Sequence, residues 1–249
     1  MPNEPLQAGD SMTAPAPRIR TPSPREARIA GLCYLAVITS GVFAALFVRD
    51  RLIVSGDAAA TAAAIAAHET LWRWGIAVHL LYLFPGAAFG VILYRLFRPV
   101  QATLALLALV LLACDVGLEA LLLAGLTVPL ALGGDGGAFA ALGAEQREAL
   151  GYLAVRLFLT GWGFALFLFS GFCALTGVLI LRSRLVPRLI GVLMIGAGIG
   201  YFASALVGIL APAQVGLLSW LLVPCFVGEL SLALWLAVKG VAATAPGAG

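Results

Sequence analysis

Long uncharged runs, separated by short charged stretches, dominate the chain after its first 27 residues. A helix needs about 20 apolar residues to cross about 30 Å of hydrocarbon. The runs of that length cover residues 29–48, 74–94, 100–132, 157–181, 189–210 and 215–238. The pattern therefore predicts an all-α, polytopic membrane helix bundle with six transmembrane helices, forming one domain over residues 28–240.

Shorter segments connect and flank these runs. Residues 1–27 combine several prolines with polar residues, which predicts a disordered cytoplasmic tail, and residues 241–249 form a short C-terminal tail. The Ala-rich segment 57–70 predicts a short helix on the outer surface between spans 1 and 2. Residues 133–137 are mostly glycine and predict a flexible outer loop, and Pro212 predicts a tight turn between spans 5 and 6.

The distribution of Lys and Arg predicts the orientation, because positive charge near span ends favours the cytoplasmic side. With the N-terminus inside, the cytoplasmic segments hold Arg18, Arg20, Arg25, Arg28, Arg95, Arg98, Arg182, Arg184, Arg188 and Lys239. The outer side holds Arg49, Arg51, Arg73, Arg147 and, near the boundary, Arg156. Both termini are therefore expected in the cytoplasm, with the protein in the cell inner (plasma) membrane.

Composition excludes most other classes. The chain is 62% hydrophobic and 11% charged, with a mean hydropathy of +1.04, which leaves too few charged residues to cover a soluble surface. A net charge of +3 does not make a continuous basic face, so we expect no nucleic-acid partner. The four cysteines lie in apolar runs without a Cys-x-x-Cys motif, which favours small core residues over disulfides. No cofactor is predicted.

Three carboxylic acids interrupt the apolar runs, and each is costly in a membrane. Asp115 and Glu119 are four residues apart and share one helical face, so both cannot ionise cheaply and at least one is expected to be protonated. Estimated depths place His79 and, near the outer boundary, Arg156 in the same half of the membrane. This cluster is a candidate pocket for a proton or cation. The alternative is a polar contact between helices that only stabilises the bundle.

Glu229 is the third acid, and its depth is close to the membrane midplane. Pro224, one turn earlier, removes a backbone hydrogen bond beside it, an arrangement also found at transporter sites. Glu229 therefore joins the candidate pocket, with structural bonding to a neighbouring helix as the alternative. A metal site is not predicted, because no pair of these residues has the spacing of a metal-binding motif.

Glycines predict where helices pack closely. Gly196 and Gly200 in span 5 have small-xxx-small spacing, and Gly171 and Gly177 in span 4 are natural partners. Short similarities between the starts of spans 1 and 5 also hint at an internal repeat, although membrane composition alone produces such matches.

Several strings are similar to a bacterial membrane-protein family catalogued as domain of unknown function 4386. They are the segments 27–32, 51–54, 56–61, 98–100, 182–183, 185–193 and 228–235. The resemblance covers nearly everything after the tail. It implies a multi-pass membrane protein and supplies no activity or catalytic residue.

Three functions fit these observations. We favour a small-molecule or proton-linked binding or transport module whose pocket contains the buried carboxylates. The alternatives are a structural or interaction membrane protein and an intramembrane enzyme acting on a lipid or isoprenoid through a protonated carboxyl. The lack of a catalytic motif argues against the enzyme. The expected partners are membrane lipids and a small-molecule or proton ligand, and the oligomeric state stays open.

Overall fold

The computed structural model describes residues 23–133, 139, 141–211 and 222–241, and these residues form helices and no strands. The helices are α1 (Pro24–Leu52), α2 (Ala58–Ala67), α3 (Glu69–Phe97), α4 (Ala102–Leu132), α5 (Ala144–Arg182), α6 (Arg188–Leu210) and α7 (Leu222–Val238). The all-helical class is confirmed. The predictions for most of the two tails, the glycine-rich loop and the turn at Pro212 lie outside the described residues.

Five of these helices, α1 and α3 to α6, are long and apolar enough to cross a membrane. The last helix, α7, is equally apolar but has 17 described residues. The sixth predicted run starts at residue 215, and its first residues lie outside the described part of the chain. The structure therefore supports a multi-pass membrane protein with five clear spanning helices and a shorter sixth candidate.

Helix α1 starts within the segment predicted to be a disordered tail. Ser23 caps it, since its hydroxyl accepts from the backbone N–H of Glu26 and its own N–H donates to the Glu26 carboxylate. This reciprocal capping box, followed by Pro24 in the first turn, is a strong helix start. Residues 24–27 are therefore helical, whereas residues 1–22 are outside the description.

Two spanning helices depart from regular α-geometry. Residues Phe43–Arg49 of α1 form a π-helix, and residues Ala124–Thr127 of α4 form a 3-10 turn. A π-helical segment has a wider turn and changes which face the following side chains occupy. Because of this segment, α1 brings Arg49 into the bundle, where only 5% of the residue is exposed.

The predicted segment 57–70 does contain a short helix. Asp57 caps α2 by accepting from the backbone N–H of Ala60 at 2.8 Å. The preceding turn is held to α5, because the Gly56 N–H donates to the Tyr152 hydroxyl at 2.7 Å. A break at His68 separates α2 from α3.

The six long helices contact their neighbours in chain order, and α7 contacts α1, so the described helices form a closed ring. At the closing contact, a Cβ added at Gly31 would lie 2.1 Å from the Ala237 backbone nitrogen. No residue with a side chain fits there without moving a helix.

Two separate apolar clusters fill the ring. Along α4, Leu112 belongs to the first cluster and Leu123 to the second. Asp115 and Glu119 lie between these two leucines on the same helix and are both buried. The acids therefore occupy a polar layer between two apolar ones.

The glycine predictions have mixed outcomes. A Cβ at Gly177 would lie 2.6 Å from the Gly191 carbonyl oxygen on α6, and one at Gly171 would lie 2.8 Å from the Leu111 side chain on α4. Gly200 is buried, but Gly196 is exposed and has no atom within 4 Å of an added Cβ. The described close contact between α5 and α6 therefore includes Gly191 instead of Gly196, which lies on another face of α6.

Candidate functional site

Glu119 is the centre of a buried polar cluster. Its carboxylate accepts from the Tyr82 hydroxyl on α3 and from Trp162 Nε1 on α5, the latter at 2.8 Å. Only 7% of Glu119 is exposed. The acid therefore links three helices through two donors.

Arg49 and His79 extend this cluster. An Arg49 guanidinium nitrogen lies 3.1 Å from His79 Nδ1, and both residues are buried. The guanidinium also lies over the rings of Phe158 and Trp162, with centroid distances of 5.1 and 5.6 Å. Stacking on aromatic faces stabilises a cation through the ring quadrupole. The π-helical segment of α1 thus delivers a buried positive charge.

The chemistry of arginine fixes the state of His79. A guanidinium has no acceptor and only donates, so His79 Nδ1 must accept and cannot carry a proton. A neutral imidazole carries its single proton on the other nitrogen, which here is Nε2. Nε2 lies 4.0 Å from Glu119 Oε2, too far for a hydrogen bond, and has no hydrogen-bond partner. A buried N–H is therefore left unsatisfied beside the carboxylate.

Asp115 lies one turn from Glu119 on α4, and 6% of the residue is exposed. Among the described residues, no side chain or backbone group donates a hydrogen bond to it. It lies within electrostatic range of both Glu119 and Glu229. Asp115 is therefore a buried acid with no hydrogen-bond donor among the described residues.

Glu229 is held in the same way as Glu119, by two side-chain donors, and we call each glutamate with its two donors a clamp. Its carboxylate accepts from the Tyr34 hydroxyl on α1 at 2.8 Å and from the Tyr201 hydroxyl on α6. Glu229 is 7% exposed, and the Tyr34 ring stacks on Phe89 at 4.2 Å. This acid, like Glu119, is held by two donors from two different helices.

The structure thus brings together part of the predicted pocket. Asp115 and Glu119 are one turn apart on α4 and His79 adjoins Glu119, whereas Glu229 is held by Tyr34 and Tyr201 in a separate set of contacts. Arg156 is exposed, and no contact among the described residues connects it to this cluster. The buried cation is Arg49, which the sequence analysis assigned to the outer boundary.

The analysis of the sequence also missed the donors to the two glutamates. A signal existed for Tyr82, which lies three residues from His79 and shares its helical face. Tyr34 and Tyr201 lie well inside apolar runs, away from the interface where tyrosine is usually found. A hydroxyl at such a depth needs an acceptor, and an acid is a suitable one.

Within the described residues, no group of three or more His, Cys, Asp or Glu side chains is arranged to hold a metal ion. The chemistry open to the cluster is proton uptake and release, because the buried acids among the described residues outnumber the buried cations.

Comparisons with known proteins add a family and no activity. No curated protein and no solved structure matches the chain. One family model, Domain of unknown function (DUF4386), matches residues 29–240, which include every spanning helix from the sixth residue of α1 onward and the whole polar cluster. Because this match covers well over half of the sequence, the chain belongs to the DUF4386 family.

Proposed function

We propose that the protein is a proton-linked binding or transport module that exchanges protons for a small cation at the buried carboxylates. In this proposal six helices span the membrane, α1 and α3 to α7, both termini are cytoplasmic and α2 lies on the outer surface. The positive residues near the span ends support this orientation. The length of the five clear spans supports the bundle.

One observation carries the proposal, the imbalance of buried charge. Asp115, Glu119 and Glu229 are three buried carboxyls, whereas Arg49 is the one buried Lys or Arg among the described residues. His79 adds no positive charge, because its contact with Arg49 requires the neutral form. Uncompensated negative charge is expensive inside a membrane, so protons or another cation must neutralise the remaining acids.

Asp115 is the residue at which exchange is expected. Glu119 and Glu229 each accept two hydrogen bonds, which stabilise a carboxylate in place. Asp115 lacks such donors within the described chain, so its charge depends on what enters from outside. A proton and a small cation would compete for Asp115, so that binding of one releases the other.

The satisfied glutamates also favour a second candidate, a structural role. Two donors on each of Glu119 and Glu229 tie helices together, as polar residues do in membrane bundles. A purely structural protein, however, has no use for an unsatisfied acid. Asp115 therefore distinguishes the two functions.

Infrared difference spectroscopy of the purified protein tests the proposal. We expect a carboxylic-acid C=O band at neutral pH, where exposed carboxyls are ionised, and we expect it to decrease when sodium is added at constant pH. Released protons should register on an impermeant pH-sensitive dye in weak buffer. Asp115→Asn should remove both responses.

Glu145→Gln is the matched control, since it removes an exposed carboxyl outside the cluster. Its band changes and proton release should equal those of the wild type. A wild-type C=O band that does not respond to added sodium at constant pH would overturn the proposal and leave the structural role.

A further inference from the structure

The two glutamate clamps have the same construction. Counting the long helices as spans 1 to 6, Glu119 lies on span 3 and Glu229 on span 6. Glu119 takes one donor from span 2 and one from span 4, whereas Glu229 takes them from spans 5 and 1. Each span of the second clamp is three further along the chain than its counterpart in the first, when span 1 is counted as following span 6.

One pair of donors, Tyr82 and Tyr201, also occupies equivalent positions along its helices. Tyr82 lies 13 residues after Glu69, the first residue of α3, and Tyr201 lies 13 residues after Arg188, the first residue of α6. Both tyrosines donate through the hydroxyl to the glutamate of the following span. Spans 2 and 5 therefore present the same group at the same helical register.

The helix contacts obey the same rule. The ring consists of contacts between spans 1 and 2, 2 and 3, 3 and 4, 4 and 5, 5 and 6, and 6 and 1. If span 1 is exchanged with span 4, span 2 with span 5 and span 3 with span 6, the same six contacts are obtained. Each half has three spans, an odd number, so the halves have opposite orientations in the membrane. This is the arrangement of inverted-topology repeats.

The depths of the acids place Asp115 between the two clamps. At about 1.5 Å per residue, Glu119 lies about 26 Å along α4 from Ala102, and Glu229 lies about 14 Å along α7 from Val238. Asp115 lies about 20 Å along α4, midway between these two depths. The unsatisfied acid therefore lies between the levels of the two clamps.

We infer that α1–α4 and α5–α7 are two inverted halves, and that Asp115, the exchange site, opens in turn to opposite sides of the membrane, past the Glu119 clamp on one side and past the Glu229 clamp on the other. A proton or small cation bound at Asp115 can then leave toward either side. The two apolar clusters, one on each side of the polar layer along α4, are the barriers that open alternately. This inference rests on the proposed function and specifies how its site works.

The symmetry itself supplies matched reporters. Ala27 lies seven residues before Tyr34 on span 1, and Val155 lies seven residues before Trp162 on span 4. Both reporter positions are 0% exposed. Since the halves are inverted, Ala27 is on the cytoplasmic side of its clamp and Val155 on the outer side. Each should become reachable only when the barrier on its own side opens.

The test measures labelling of Ala27→Cys or Val155→Cys by a membrane-impermeant thiol reagent in the full chain. The four native cysteines are first replaced by alanine, and the reagent is applied to spheroplasts or to inside-out vesicles. We then add Tyr82→Phe or Tyr201→Phe, each of which removes one hydroxyl from one clamp. The two variants should shift the labelling rates in opposite directions by about threefold to tenfold, as expected for a two-state equilibrium that loses one hydrogen bond.

Tyr94→Phe is the control, because it removes a hydroxyl on α3 that donates to neither glutamate. It should leave both labelling rates unchanged. If a reporter cysteine prevents folding, Ala30 and Phe158 provide a second pair, four residues before Tyr34 and Trp162 and each 1% exposed.

Equal shifts of both reporters in both variants, or reporters unreactive from both sides, would overturn the inverted-repeat inference. If that result were obtained together with cation-driven proton release, the protein would be a binding module whose two halves do not alternate. Loss of proton release as well would instead remove the proposed function itself.

Discussion

Arg49 donates to the Nδ1 atom of His79 across 3.1 Å inside the bundle, and this contact fixes a neutral imidazole whose other nitrogen, Nε2, carries the proton and lies 4.0 Å from Glu119 Oε2. The only buried Lys or Arg of the described residues is therefore held by an uncharged partner and two aromatic faces. Its positive charge is left to act on Glu119, with which it interacts electrostatically.

Replacement of Arg49 tests this arrangement. Arg49→Met should lower the free energy of unfolding by about 3 kcal/mol, because the acids lose their buried counter-charge and His79 loses its donor. Adding His79→Leu should recover part of that loss, since two apolar groups replace both partners. Chemical denaturation in detergent measures both. Arg51→Met, at an exposed residue two positions away, is the control and should have little effect. A stable Arg49→Met protein would show that the cation is dispensable.

Neutralising the neighbouring acids should have effects of opposite sign. Asp115→Asn should raise stability by about 1–2 kcal/mol, because it removes a buried charge that no described donor satisfies. Glu119→Gln should lower stability by about 1–3 kcal/mol, because its amide N–H₂ replaces an oxygen that accepts from Tyr82 or Trp162. Melting temperatures at matched pH measure the two effects. Destabilisation by both substitutions would assign Asp115 a structural role.

Two glycine substitutions test the packing of α5 against α6. Gly177→Ala should lower the free energy of unfolding by about 1–3 kcal/mol, because the new Cβ would lie 2.6 Å from the Gly191 carbonyl oxygen. Gly196→Ala faces open space and should change stability by less than about 1 kcal/mol. Thermal unfolding followed by circular dichroism compares them. Equal destabilisation would place Gly196 in a contact as tight as that of Gly177.

Two tryptophans on α3 form another matched pair. Trp72 is 1% exposed and donates through Nε1 to the Leu126 carbonyl oxygen at 2.9 Å, in the 3-10 turn of α4. Trp72→Phe should cost about 1 kcal/mol of stability from the lost hydrogen bond alone. Trp74 is 59% exposed, so Trp74→Phe should cost less than about 0.5 kcal/mol. Melting temperatures distinguish them, and similar losses would contradict the importance of the Trp72 contact.

The helices were predictable because the length of an apolar run follows directly from the thickness of a membrane. Counting residues along each helix also predicted that Asp115, Glu119 and His79 lie at similar depths in the membrane. The burial of these acids followed from the same reasoning.

The partners of the acids were harder to predict. Arg49 stands next to Asp50 at the end of an apolar run and has the pattern of a boundary residue, but in the structure it ends a π-helical segment and is buried. A local change of helix type depends on packing among several helices, which a pattern along one helix does not contain. For the same reason the choice of Gly191 over Gly196 became visible only from the contact of α5 with α6.

The closing contact at Gly31 has a consequence for biosynthesis. Of the described helices α1 is made first, yet one of its two main helix partners, α7, is made last. Until α7 is made, the surface of α1 around Gly31 faces lipid or another protein, and the hydroxyl of Tyr34 lacks its acceptor on Glu229. A chain released before α7 is made would thus leave the ring of helices open between α1 and α6. Membrane quality-control proteases can recognise such a gap.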